Sequence, residues 1–491
     1  PAVTRYAYDE RGQVVRQTSP AGRVQAFVYE PKGTPKAGLL RAQIGDPDGI
    51  AEVTAMDYDA AGHLASQTAP GGATWRHTVN ALGLLDAVEP PAVDGEAAPT
   101  RYEYDAHQRV RRILRPAGEV LDVALAGAVL EDFIEYTPLG HPRRIIVGVN
   151  TDRPREWQFV RDWEGRPLRE VGPDGLRTTR VYDERGFLLR ETLGEGLPEA
   201  LTARAVCDIG GRVQQAFHAD GASRSFTRDP WGRVTETVLE GGAHVRTQWG
   251  PLDRMLGEDI EGDPGDGDPE RLLARTRLAY DERGRLLHST AHAFTDDPDA
   301  AALLTTTRWY DADGLSVRHQ APAGESWQQE HDALMRLRVT EDPLGNRRRV
   351  DFGADGLPSR ITEEDQGPDG PRERWTELVH DARGRLTATL RPSGALRRFR
   401  WDARDLLVEQ QDPLGVVTRH GFGMLGEPMR MHIDPGGLDI IHHQTFDLAG
   451  RPRTAADPTG AVTKLEHDAL GRVRALTLPD GGQVTYHHDA K

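Results

Sequence analysis

The sequence predicts an all-β chain: a long antiparallel β-strip built on a 21-residue repeat, with about two strands in each repeat. Three observations carry that prediction. Asp447, Asp468 and Asp489 stand 21 residues apart. After each of the first two, a glycine follows at three (Gly450, Gly471), a proline at eleven (Pro458, Pro479) and a glycine at thirteen (Gly460, Gly481). A register shared at four positions is an internal repeat. The stretches between turn signals are β-branched and aromatic, as in Thr100-Arg-Tyr-Glu-Tyr104 and Thr179-Arg-Val-Tyr182. Finally, 53 glycines and 33 prolines in 491 residues supply many turns without reaching a disordered composition.

The first unit holds Tyr8, Asp9 and Gly12. The next clear register, Tyr58, Asp59 and Gly62, comes 50 residues later, after a Gly/Pro-rich excursion within residues 30–57. Asn80 and Gly83 form a degenerate unit; in the unit of Tyr104 and Asp105, Gln108 replaces the glycine. Residues 119–135 break the register, and a strand pair or a short helix fits them equally. Units follow at Asp162 and at Tyr182, Asp183 and Gly186, and then at Asp208 and Asp229. Cys207 takes a tyrosine's place there, which makes it a packing residue. Longer connections at 258–276 and 291–305 precede Tyr280, Asp281 and Gly284, and Tyr310, Asp311 and Gly314. Asp332, Gly353, Asp381 with Gly384, Asp402, Gly423, Asp447 with Gly450 and Asp468 with Gly471 complete about nineteen units, so residues 1–491 read as one array.

Each unit carries two turn signals. An aspartate caps its own backbone, and the glycine three residues on takes the positive φ that leads the chain back out. In Asp342-Pro-Leu-Gly345 and Asp412-Pro-Leu-Gly415, proline at the second position suits a type I turn. About six to seven residues remain for each strand, the common length, and roughly forty strands result. The aromatic before each aspartate is expected to stack on its counterparts as a ladder. Strands such as Arg472–Leu478 put apolar residues on both faces, which bulges or a doubly covered sheet would explain.

A formal charge of −16 argues against a nucleic-acid surface, and Arg397-Arg398-Phe399-Arg400 reads as a solvated strand face. The single cysteine excludes an internal disulfide framework and fits a reducing compartment. No apolar run reaches the ~18 residues of a membrane span, and neither a signal peptide nor an Asn-x-Ser/Thr sequon is present. Gly421-Phe-Gly-Met-Leu-Gly426 is a literal G-x-G-x-x-G, yet its glycines fall on turn positions and Pro428 follows. His432, Asp439, His442 and His443 lack a standard metal-ligand spacing. Asp259, Asp263, Asp266 and Asp268 lack a calcium loop's closing glutamate and read as a solvated loop. No catalytic, cofactor-binding or metal-binding constellation is expected.

Tyr280-Asp-Glu-Arg-Gly-Arg-Leu-Leu287 and His380-Asp-Ala-Arg-Gly-Arg-Leu386, in register with the other copies, resemble the YD repeats of the Rhs family over essentially the whole chain. That family includes bacterial polymorphic toxins, C components of insecticidal toxin complexes, wall-associated contact-inhibition proteins and animal teneurins. The resemblance implies a strip spiralling into a hollow shell, a β-cocoon, that in the bacterial toxins encloses a C-terminal toxin segment. Missing sequons and cystines favour the bacterial branch. The expected function is therefore a non-catalytic encapsulating shell, made in the bacterial cytoplasm and then secreted or delivered. Its expected partners are a toxin segment of the same polypeptide, an N-terminal plug or secretion-system spike, and a chaperone. A cell-surface adhesion or carbohydrate-binding array is the alternative. Family members often carry a self-cleaving D-P-x-G-L segment. Asp434-Pro-Gly-Gly-Leu438 matches it, but further aspartate registers follow, and it reads as an ordinary repeat turn. Neither a spike-binding domain nor a toxin is visible, so the chain is expected to be part of a longer one.

Overall fold

The computed structural model describes residues 2–121, 123–124, 128–263, 270–293, 302–367 and 370–489. Among the described residues forty-one strands form one antiparallel sheet that is not closed, and the short hairpin of Glu119–Val120 with Val123–Ala124 lies outside it. Strands pair with their neighbours in sequence, as Val14–Thr18 does with Arg5–Tyr8 on one side and Val24–Tyr29 on the other. Among the described residues the only helical turn is the 3₁₀ turn Pro251–Asp253. The chain falls into two compact units. One comprises Pro1–Arg177, Asp332–Arg336 and Arg348–His487; the other comprises Thr178–His331, Leu337–Arg347 and His488–Lys491.

The stretches that interrupt the 21-residue register carry strands. Residues 30–57 include Leu40–Gly45 and Glu52–Tyr58, which pair with each other. Glu30 replaces aspartate at the lengthened turn before them, its amide donating to the Leu39 carbonyl. The ambiguous 119–135 stretch contains no helix among its described residues: Val129–Tyr136 is a strand paired with Val110–Pro116. Residues 258–276 and 291–305 contribute to long hairpins, the first between Met255–Gly262 and Arg271–Tyr280 and the second between Leu286–Ala293 and Ala302–Tyr310.

A β-bulge recurs at the residue before the aspartate: at Ala7/Tyr8, Asp57/Tyr58, Val181/Tyr182, Ala279/Tyr280, Trp309/Tyr310 and Glu466/His467 among others. An extra residue on one strand shifts the inside-outside alternation by one, so the pattern read straight along a strand is imperfect. The registers then sort the side chains. One face carries cross-strand charge rows such as Glu236, Arg246, Asp259 and Arg275. The other carries Phe226, Thr237, Val245, Ile260 and Ala274. Arg398 and Arg400 share a face while Arg397 lies with Phe399 on the opposite one. The run is therefore not a single basic surface, and Arg400 pairs with Glu119.

Among the described residues the buried apolar side chains are few, such as Leu130, Ile146, Val408 and Ala475. Stability therefore rests on ladder hydrogen bonds, turn chemistry and half-buried contacts rather than on one dry core.

Turn chemistry can be tested directly. Met335 occupies the left-handed turn position that glycine holds elsewhere, at φ +67°, and its side chain is exposed. An L side chain pays about 1–2 kcal/mol there, partly offset by glycine's greater freedom in the unfolded chain. Met335→Gly is expected to stabilise the protein by about 0.5–1 kcal/mol, read as a higher denaturant midpoint.

Candidate functional site: the turn rows and their seam

The aspartates Asp9, Asp59, Asp105, Asp183, Asp281, Asp311, Asp381, Asp447 and Asp468 do the same work. In each, Oδ1 accepts the amides two and four residues on, at 2.8–3.1 Å. The glycines Gly12, Gly62, Gly186, Gly284, Gly314, Gly384, Gly450 and Gly471 all have φ between +76° and +97°. The proline-side turns copy this loop, with Asp342, Asp412 and Asp457 capping the same two amides.

The arginine after the glycine, given no role by the sequence reading, completes the unit. Its Nε donates to the aspartate's second oxygen: Arg109 to Asp105 at 2.8 Å, Arg285 to Asp281 at 2.6 Å and Arg385 to Asp381 at 2.8 Å. The same guanidinium then reaches the next turn in the row, where Arg285 donates to the Asp311 carbonyl and Arg385 to the Asp402 carbonyl. Asp105 is held at about 2, first by the Arg109 hydrogen bond. For Asp229 and Asp468, burial alone would raise the pKa, but the arginine and amide hydrogen bonds together hold it below the ordinary carboxylate value.

The aromatics behave differently from the expected ladder. Tyr58, Tyr104 and Tyr310 donate their hydroxyls to the carbonyls of Leu40, Leu85 and Leu286 in the preceding hairpin, at 2.7–2.8 Å. The indole N–H of Trp401 does the same to Leu386. In several units the ring stacks on arginine rather than on another ring. Arg285 lies 4.8 Å from the Tyr310 centroid and Arg109 lies 4.6 Å from that of Tyr136. Tyr182 and Tyr280 sit at the same bulge; Tyr8 is exposed and tilts against Tyr6.

The other candidates resolve into structure. Gly421 lies within the strand Val417–Phe422, Gly423–Gly426 is a hairpin turn and the strand Pro428–Ile433 follows, so the glycine motif has no helix to seat a phosphate. His432 meets Asp439 at 2.5 Å. His442 opposes Met431 while His443 opposes Arg430, which puts the two adjacent histidines on opposite faces. Among the described residues no cluster of three His, Cys, Asp or Glu side chains could hold a metal. Asp259 corrects the reading of a solvated loop: it lies on a strand, with Arg275 at 3.0 Å and Arg277 at 2.6 Å. Asp266 and Asp268 lie outside the described residues. Asp434–Leu438 forms the same hairpin loop as Asp46–Ile50. In both, the second carboxylate oxygen accepts the amide four residues on, from Leu438 and from Ile50. Cys207 is a half-buried strand residue opposite Val213.

Within the first unit two turn rows meet. Proline-side turns of the early repeats face aspartate-side turns of late ones, 272 to 309 positions further along the chain. Arg23 donates to the Asp332 carbonyl at 3.2 Å, Arg336 pairs with Glu52 at 2.6 Å, and Arg383 donates to the Pro91 carbonyl at 3.2 Å. Further on, Arg155 pairs with Glu427 and Arg451 meets Asp174 at 3.2 Å. Leu334 sits on Gly45 and Leu425 on Gly148, each close enough that an added Cβ would lie 2.5 Å from it.

The tightest node surrounds Asp402, whose side chain is fully buried. One oxygen accepts the amides of Arg404 and Leu406; the other accepts Arg404 Nε at 2.8 Å and the Glu119 amide at 3.1 Å. Arg404 also donates to the Glu119 carbonyl and, at 2.8 Å, to that of Gly423.

The RHS Repeat family matches residues 380–422 and 446–483, a span that includes the Asp381, Asp402, Asp447 and Asp468 turns described above. Those two stretches are RHS repeats. Over 91% of its length the chain is 25% identical to "Double-stranded DNA deaminase toxin A" of Burkholderia cenocepacia, covering 33% of that protein. Over 64% it is 27% identical to "Probable deoxyribonuclease RhsA" of Dickeya dadantii, covering 20% of it. The chain thus spans a third or less of the length of these curated relatives. The solved structure "TcdB2-TccC3-TEV" aligns with 97% of it and 37% of that chain, at 12% identity and a TM-score of 0.28.

Proposed function

We propose that this chain is wall: a non-catalytic part of a shell that sequesters a toxin segment of its own polypeptide until delivery to another cell. The seam is the observation that carries the reading. A strip whose two turn edges dock on each other after 272 to 309 residues is a strip that coils on itself, and coiling hides edges that would otherwise seek partners. The relatives' names support it, since they describe a deaminase toxin and probable deoxyribonucleases several times longer than this stretch. The catalytic activity then belongs to another part of the polypeptide, and the less charged sheet face, with Phe226 and Trp327, turns toward the enclosed segment.

Electron cryomicroscopy and limited proteolysis of the full-length polypeptide test the proposal. The expected result is an enclosed volume holding the C-terminal segment, which resists protease until the wall is denatured. A solid body, or a C-terminal segment cut as fast as an unfolded peptide, overturns it.

A further inference from the structure

The long hairpin of Leu286–Ala293 with Ala302–Tyr310 outgrows its neighbour. Its second strand pairs with the first from Ala302 to Thr307, but with the next strand, Ser316–Gln320, only from Thr307 to Tyr310. Among the described residues no strand pairs with the outer side of Ala302–Thr306. Asp311 donates its amide to the Leu315 carbonyl on that outer side, and alternate residues of a strand direct their N–H and C=O groups the same way. The bulge beside this turn adds its residue to the facing strand, so the count back from Asp311 is unbroken. The free groups are therefore those of Leu303 and Thr305, while Leu304 and Thr306 turn theirs to Leu286–Ala293.

Nothing along this edge repels a further strand. Ala302, Leu303, Leu304, Thr305 and Thr306 include no charge and no proline, and Leu303 and Leu304 are 61% and 43% exposed. The hairpin of Pro358–Gly367 with Gly370–His380 is the contrast. Gly370–His380 meets Leu386–Leu390 only from Glu377 to His380. Its uncovered part carries Pro371, Arg372, Glu373 and Arg374, and proline and charge are what keep strand edges from pairing. A bare apolar edge is instead a template for one more strand.

We propose that Ala302–Thr306 receives an extended, uncharged stretch of the same polypeptide from outside residues 1–491, which joins the sheet as one more strand. Its backbone bonds to the N–H and C=O groups of Leu303 and Thr305, and its apolar side chains meet Leu303 on one face and Leu304 on the other. Size decides against a separate protein. So short a strand covers far less than the about 800 Å² per partner that a stable complex buries, whereas a tethered strand acts at an effective concentration of about millimolar. The relatives' lengths leave room for it, since the chain covers 33% and 20% of them. The inference makes no use of what the wall encloses, so an empty shell leaves it standing.

Amide exchange and cross-linking on the full-length polypeptide test it. The Leu303 and Thr305 amides are expected to exchange within about threefold of the Leu304 and Thr306 amides, which have partners inside the hairpin; on a bare edge they exchange about a hundredfold faster. Leu303→Pro removes one outward donor and leaves the hairpin's own bonds in place. It is expected to speed exchange at Thr305 about tenfold or more while Leu304 keeps its rate. A photo-cross-linking amino acid at position 304 is expected to capture a peptide of the same molecule from outside residues 1–491. Exchange at bare-edge rates, a cross-link within residues 1–491 or a cross-link to a second copy overturns the proposal.

Discussion

Replacing Gly118 by alanine is expected to raise exchange at the Glu119 amide about a hundredfold or more, because it dismantles the Asp402 node. Gly118 has φ +67°, so alanine pays about 1–2 kcal/mol for the backbone alone. Its Cβ would overlap Asp402 Oδ2 and fall 2.5 Å from Arg404 Nε. Neither group can retreat cheaply. Asp402 is fully buried and holds four donors, and Arg404 is tied to carbonyls from both sides of the seam. Separating a buried ion pair costs about 3–5 kcal/mol, and about 1.4 kcal/mol is a tenfold change in the opening equilibrium. Gly22→Ala is the control, since Gly22 has φ +86° and nothing within 4 Å of the added carbon. It should cost only the backbone term, about 1–2 kcal/mol, with Glu119 exchange unchanged. Equal effects at the two glycines would mean that the seam is not held at this node.

What the sequence made legible follows from how local each interaction is. The aspartate and glycine of each turn were readable because capping and positive φ are settled within five residues. The strand count was readable for the same reason. The arginine after the glycine was visible as a letter but not as a clamp, since half of its partners sit in the following turn. The aromatic ladder was expected from recurrence alone, whereas in several units the structure puts arginine against the ring and uses Tyr58, Tyr104 and Tyr310 to cap carbonyls near the bulge. The seam was invisible. Glu119, Arg155 and Pro91 occupy no repeat-specific position, and their partners lie hundreds of residues away. Asp259 was misjudged because acidic neighbours suggested a loop, while its two arginines come from the facing strand.

Asp259 also yields the clearest dependence on pH. The carboxylate is held at about 2, first by the Arg277 hydrogen bond and then by Arg275, against a burial penalty that alone would raise it. Its folded-state value lies below the ordinary 3.8, so the folded state binds this proton less readily than the unfolded chain does. The contribution is therefore fully present above about pH 5 and is lost as the pH falls toward 2. A shift of this size corresponds to about 2 kcal/mol. The side chain is only 12% exposed, so solvent screening removes little of it. Asp259→Asn is expected to lose about 2 kcal/mol at neutral pH while keeping the strand register. The difference between wild type and variant should then vanish as the pH approaches 2. Hydrogen exchange along Met255–Gly262, measured across that range, reads both effects. A variant whose deficit persists unchanged at low pH would show that Asp259 acts through shape rather than charge.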